Sequence, residues 1–180
     1  MVSLEANSSA ENGGEAPKPK SLFADDNVAR CFFRRLSFSP DGSLLIVPTG
    51  LMKPSLLQSV EAKSRQSSSA FATHIFHRSD LSAPVVSLAG LDEPSVAVRC
   101  CPRLFKMVQH SQPVEGFPGD YRMVFAVATT SSVLIYDTQH LAAPLMKLCN
   151  LHYATINDVA WSANGVLGEK LLRKRLLPSI

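Results

Sequence analysis

Charge is scarce in this 180-residue chain: Asp, Glu, Lys and Arg make up 18% of it, below the usual quarter. The balance is a mild +3, which argues against a nucleic-acid surface, so no direct nucleic-acid contact is expected. Long apolar runs are also missing. Nowhere do about 18 apolar residues follow one another, so no transmembrane helix and no membrane partner are expected. The four cysteines, Cys31, Cys100, Cys101 and Cys149, form neither a C-x-x-C pair nor a disulfide framework. They read as buried thiols in a reducing compartment. Met1 to Ala6 has no basic or apolar signal region, so no secretory signal is expected. A nucleophile elbow, a phosphate-cradling glycine loop and a paired-carboxylate motif are all lacking. The chain therefore reads as no enzyme, with no cofactor and no catalytic residue. His74 and His77 are three apart, which on a strand puts them on opposite faces, so no metal site is expected.

What is present is apolar, at 46% of residues, and arranged in short runs. Residues 1–21 hold few large apolar groups and read as disordered. Leu36 to Ser39 alternates apolar and polar, a strand signal. Ser39-Pro40-Asp41-Gly42 is a turn: Pro presets φ, Asp bonds the backbone two residues on, and Gly takes positive φ. Ser43 to Val47 returns as a strand buried on both sides, and Pro48 is expected to end it. Residues 49–69 read as an exposed loop insertion. Strand character resumes at residues 70–77, 85–88 and 95–100. A second insertion is expected from Pro102 to Asp120, then strands at Met123 to Ala128 and Val133 to Asp137. After His152, Ile156 to Trp161 is a further strand, closed by an Asn164-Gly165 turn.

These runs repeat. Phe38, Cys100 and Trp161 are separated by 62 and 61 residues, as are Leu36, Val98 and Val159. Phe76 and Tyr136 are 60 apart, as are Pro84 and Pro144, and Leu88 and Leu148. A propeller repeat is usually about 40–45 residues. The excess of about 20 matches the two insertions, which fall in different loops of their repeats. The grammar is that of a propeller blade, with Tyr136-Asp137 in place of Trp-Asp. The fold class is therefore all-β. Residues 22–165 read as a partial WD40 propeller of two blades and the start of a third. Asp41, Gly42, Tyr136, Asp137, His152 and Trp161 read as structural repeat residues. His152 stands where the repeat's histidine would bond an Asp between the second and third strands, with Leu151 replacing the usual Gly.

Phe32-Phe33-Arg34-Arg35-Leu36-Ser37-Phe38-Ser39-Pro40-Asp41-Gly42 resembles the WD40 subunit of chromatin assembly factor. So do Ala97-Val98-Arg99-Cys100-Cys101-Pro102, Tyr121 to Ala128, and Ser132 to Gln139. The Hir-type histone regulators, the family's other branch, are also similar. The resemblance covers roughly residues 22–165. It implies a propeller of about seven blades in a nuclear, multi-subunit histone chaperone. That complex deposits histones H3–H4 in replication- or repair-coupled nucleosome assembly. The expected partners are the other chromatin assembly factor subunits, H3–H4 and other histone chaperones. The alternative is a truncated or regulatory fragment that cannot assemble by itself. Arg34 and Arg35, adjacent at a strand entrance, read either as a solvated rim or as a contact for an acidic partner segment. Residues 166–180 depart from the family pattern. With one acidic and four basic residues they read as a divergent basic tail, as from alternative splicing or a mispredicted gene model. Leu171, Leu172 and Leu176 also have the spacing of a short amphipathic helix.

Overall fold

Tyr121 to Asp137 shows why this chain folds as sheets with two buried faces. The computed structural model describes residues 21–25, 29, 33–52, 71–108, 114–150, 153–165 and 167–168. Within them, strand β6 spans Tyr121–Thr129 and β7 spans Ser132–Asp137. The apolar run of β6 divides by period 2. Met123, Phe125 and Val127 enter one core, while Ala126 and Ala128 enter a second. In β7, Leu134 and Tyr136 join the first core, and Val133 and Ile135 the second. A strand covered on both faces has no use for the polar half of an alternating pattern.

Both strands belong to a four-stranded antiparallel meander, β5-β6-β7-β8, with β5 at Ser95–Lys106 and β8 at Met146–Cys149. A second meander precedes it: β1 (Ser37–Phe38), β2 (Leu44–Leu51), β3 (Phe71–His77) and β4 (Val86–Leu91). A two-stranded sheet follows, β9 (Ala160–Trp161) with β10 (Leu167–Gly168). These are two blades and two strands of a third, and no helix occurs among the described residues.

The registers bear out the repeat spacing. Phe38 pairs Leu45 in the first blade, and Cys100 pairs Phe125 in the second. Leu45 pairs Phe76, and Phe125 pairs Tyr136. Thr73 pairs Leu88, and Val133 pairs Leu148. The Phe125 and Tyr136 rings stack at 5.8 Å with an interplanar angle of 16°. The first core lies between blades one and two, where Leu44, Ile46, Ile75 and Leu88 meet Val98, Met123 and Phe125. The second lies between blades two and three, where Val96, Val133 and the alanines of β6 meet Ile156 and Val159.

Two expected strand ends are corrected. Pro48 does not end β2, which continues to Leu51. Pro102 does not open the second insertion, because β5 runs on to Lys106. The physical reason is the same in both places. Each proline falls inside a register shift, between Val47 and Gly50 or between Cys100 and Leu104, where no ladder bond is asked of its missing N–H. The insertions are accordingly shorter than residues 49–69 and 102–120. Residues 53–70 and 109–113 lie outside the described residues, as do residues 1–20 and 169–180.

Candidate functional site

Blade contacts concentrate the charged and polar chemistry of this molecule. Just before β1 the chain leaves β2 and runs parallel to β5, where Arg35 bridges Ala97. The Arg35 amide donates to the Val96 carbonyl at 2.9 Å, and the Val98 amide donates to the Arg35 carbonyl at 2.8 Å. That course sends the Arg35 side chain toward the third blade, where its Nε lies 3.7 Å from Asp158 Oδ2. Arg99 reaches the same carboxylate in a two-pronged contact, Nε to Oδ1 at 3.0 Å and Nη2 to Oδ2 at 2.8 Å. One carboxylate of blade three is thus shared by arginines of blades one and two. Partial burial alone would raise the Asp158 carboxyl. Hydrogen bonds from Arg99 and the Val159 amide, with the charges of Arg99 and Arg35, bring it below its ordinary value. Trp161 closes the same seam by donating its indole N–H to the Arg99 carbonyl at 2.8 Å.

Of the two adjacent arginines, Arg35 stacks over the Phe33 ring at 4.4 Å, and Arg34 is exposed. Neither Asp158 nor Arg99 belongs to a local motif that marks it as a site residue. A signal was there: Arg35, Ala97 and Asp158 fall on the same 62- and 61-residue spacings as the apolar anchors, putting opposite charges at equivalent blade positions.

The turn residues have their own partners. Gly42 has φ of +74°, where an L side chain is strained. Asp41 Oδ1 accepts from Ser39 Oγ at 2.5 Å and the Ser43 amide at 3.1 Å. Asp41 Oδ2 accepts from Ser43 Oγ and, across the blade boundary, from the Tyr121 hydroxyl, both at 2.7 Å. Partial burial works against ionisation, but these donors hold the Asp41 carboxyl down to about 2 from the usual 3.8. In blade two, Tyr136 is buried in the first core and Asp137 is fully buried. Asp137 accepts from Arg122 Nη1 at 2.5 Å and from the His140 amide at 2.7 Å. The ladder places His77 of blade one opposite Leu44 as Asp137 stands opposite Val124, so blade one has a histidine at the repeat-aspartate position. His152 lies outside the described residues.

A third polar contact joins blades one and two through Ser95. Its hydroxyl receives the Thr49 amide at 3.0 Å and the Thr73 hydroxyl at 2.8 Å, and its carbonyl receives the Thr49 hydroxyl at 2.8 Å. All three residues are fully buried. On the outside, Glu93 accepts from Thr130 and Ser131, and Lys147 meets Asp92 at 3.0 Å. Cys100, Cys101 and Cys149 are free thiols. Of those expected to be buried, Cys101 is buried, Cys100 is half-buried with burial pushing it up to about 11, and Cys149, on the outermost strand of its blade, is exposed. No group of three metal-ligating side chains converges among the described residues.

Antiparallel four-stranded blades packed face to face and joined by polar seams define a β-propeller architecture. The profile of the CAF1B/HIR1 beta-propeller domain matches residues 2–168, and the chain belongs to that family. It is 41% identical over 156 residues to the chromatin assembly factor 1 subunit FAS2 homolog of Oryza sativa subsp. japonica, a match covering 86% of this chain and 28% of the relative. A chromatin assembly factor 1 subunit of Mus musculus is 38% identical over 164 residues, covering 84% of this chain and 26% of the relative. Its Saccharomyces cerevisiae namesake is 33% identical over 155 residues, covering 84% and 31%. The chain thus spans less than a third of the length of each of these relatives.

Proposed function

We propose that this chain serves chromatin assembly in the nucleus by binding rather than chemistry. On this reading it is part of a scaffold that holds the other chromatin assembly factor subunits together and presents histones H3–H4 for deposition during replication or repair. The observation that carries the reading is the 33–41% identity to chromatin assembly factor 1 subunits across more than four-fifths of the chain. The blade seams support it, since a rigid rim is what a multi-partner scaffold presents.

A contact for an acidic partner segment falls to Arg34 and Arg35, and the two require separate tests. Arg34 is exposed, so Arg34→Glu changes the rim. Arg35→Glu would set a second carboxylate beside Asp158, now 3.7 Å from Arg35 Nε, and so would disturb the seam itself. Tagged chain is mixed with purified H3–H4 and with the large chaperone subunit, and retention is measured. Retention is expected, weakened several-fold by Arg34→Glu with the β signal in circular dichroism unchanged. Retention that Arg34→Glu leaves unaltered returns Arg34 to a solvated rim.

A second reading has an observation of its own: the third sheet has two described strands, where each of the others has four. On that reading the chain is a regulatory fragment that does not assemble by itself. Loss of both partners in the same experiment favours it over the first.

A further inference from the structure

β1 covers little of β2. Its two residues pair Leu45 and Ile46, while β2 continues to Leu51. The uncovered part arises because the chain at Arg35 turns away to lie along β5. An open strand edge of this kind invites an added strand. Here one is present, and it comes from far upstream: Phe23 bridges Gly50 antiparallel. The Leu51 amide donates to the Leu22 carbonyl at 2.7 Å, and the Ala24 amide donates to the Thr49 carbonyl at 2.9 Å.

The edge reads more than backbone. His74, 1% exposed on β3, brings Nε2 within 2.9 Å of the same Leu22 carbonyl. A carbonyl only accepts, so Nε2 carries the hydrogen; Nδ1 meets Ser87 Oγ at 2.8 Å. The Phe23 ring stands edge-on to the His74 ring at 5.6 Å. Ala24 is 1% exposed, which leaves little room for a longer side chain. Gly50 has no room either: a Cβ there would lie 2.6 Å from the His74 ring and 2.9 Å from the Ala72 carbonyl oxygen. A carbonyl reader, an aromatic rest, a small-residue niche and two backbone bonds together make a recognition site for an extended peptide.

We propose that the Thr49–Leu51 edge with His74 behind it is a strand-addition site. Its ligand is an extended peptide with an aromatic residue between a carbonyl-donating Leu and a small residue, and Leu22–Ala24 is its occupant in cis. The occupant makes only two ladder bonds to β2 and sits as an isolated bridge rather than as a strand of the sheet. A tethered occupant competes at an effective concentration on the order of millimolar, so a peptide in trans binds the intact chain weakly.

The probe is the hexapeptide Lys-Ser-Leu-Phe-Ala-Asp, the sequence of residues 20–25. In hydrogen exchange on the unaltered chain, excess peptide should accelerate the Ala24 amide while the Leu51 amide stays protected, because the peptide's Leu carbonyl replaces that of Leu22. A peptide with Ala for Phe should leave both amides as they are without peptide. In fluorescence polarisation, Phe23→Ala should bind the labelled peptide at least about tenfold tighter than the unaltered chain, the cis competitor having been weakened. An Ala24 amide unmoved at millimolar peptide overturns the proposal. So does acceleration of Ala24 and Leu51 together, or equal affinity of the two chains. Should Phe23→Ala fail to fold, the exchange result on the unaltered chain decides.

Discussion

Asp41 shows how a turn residue becomes a boundary residue. Its local bonds to Ser39 and Ser43 are what Ser-Pro-Asp-Gly dictates, and they were legible in the sequence. Its bond to Tyr121 spans 80 residues, and no local pattern encodes that. The folded carboxyl titrates near 2, below its ordinary 3.8. A depressed carboxyl adds stability that is present above its unfolded value and lost as pH falls through its folded value. The chain should therefore lose this contribution between about pH 4 and pH 2. Asp41→Asn removes the titrating group, so its acid-unfolding curve should be shallower across that window, as followed by circular dichroism. A curve of unchanged slope would show that Asp41 is not held by these donors in solution. Arg35 makes the same point from the other side. Its sequence showed a cation in need of a partner, but Asp158 became its partner only through the approach of blade three.

At the scale of the strand, burial on two faces explains what was legible. Continuous apolar runs at residues 44–47 and 123–128 announced strands covered on both sides, and β6 is so covered. β2 instead buries Leu44 and Ile46 on one face and leaves Leu45 and Val47 half-buried on the other, which no second core covers among the described residues. The proline-terminated ends were not legible, because a shift in register is a property of two strands and not of one. β2 pays for its bulge with strain: Thr49 has φ of +62°, held by its two bonds to Ser95. Gly50 beside it has no space for a methyl group. Gly50→Ala should cost about 1–3 kcal/mol, as overpacking against backbone and a fixed ring does. Urea denaturation reads this as a lower midpoint at constant slope. A midpoint equal to that of the unaltered chain would mean that the His74 ring gives way freely.

Across the whole molecule, each blade is stabilised by what its neighbours cover. The repeat spacing foretold the number and order of blades. It did not foretell that the two cores would use different residues of the same strands, in β6 the large Met123, Phe125 and Val127 toward blade one and Ala126 and Ala128 toward blade three. Phe33, Leu36 and Phe38, at the start of blade one, are 41%, 48% and 48% exposed. A repeat array of this kind buries such groups against a neighbouring unit. The isolated chain should therefore self-associate. Sedimentation velocity should show a boundary that shifts with concentration over the micromolar range; a single concentration-independent 19.5 kDa species would contradict this.

The third sheet has a mechanical consequence. Its strands β9 and β10 pair over two residues each. Side-chain contacts of Asp158 and Trp161, the small core around Ile156 and Val159, and one backbone bond from the Ile156 amide to the Thr130 carbonyl tie this region to blade two. Stretched between residues 21 and 168, such a region is peeled one contact at a time, whereas the eight-strand remainder must break ladders in concert. Optical tweezers should record a first low-force step that frees residues 153–168, about 50 Å of chain, before the main rupture. A trace with one rupture and no early step would mean that these few bonds grip blade three as firmly as a full ladder grips the others. Otherwise the seam around Ile156, Asp158 and Trp161 is the boundary, among the described residues, that a pulling partner would open first.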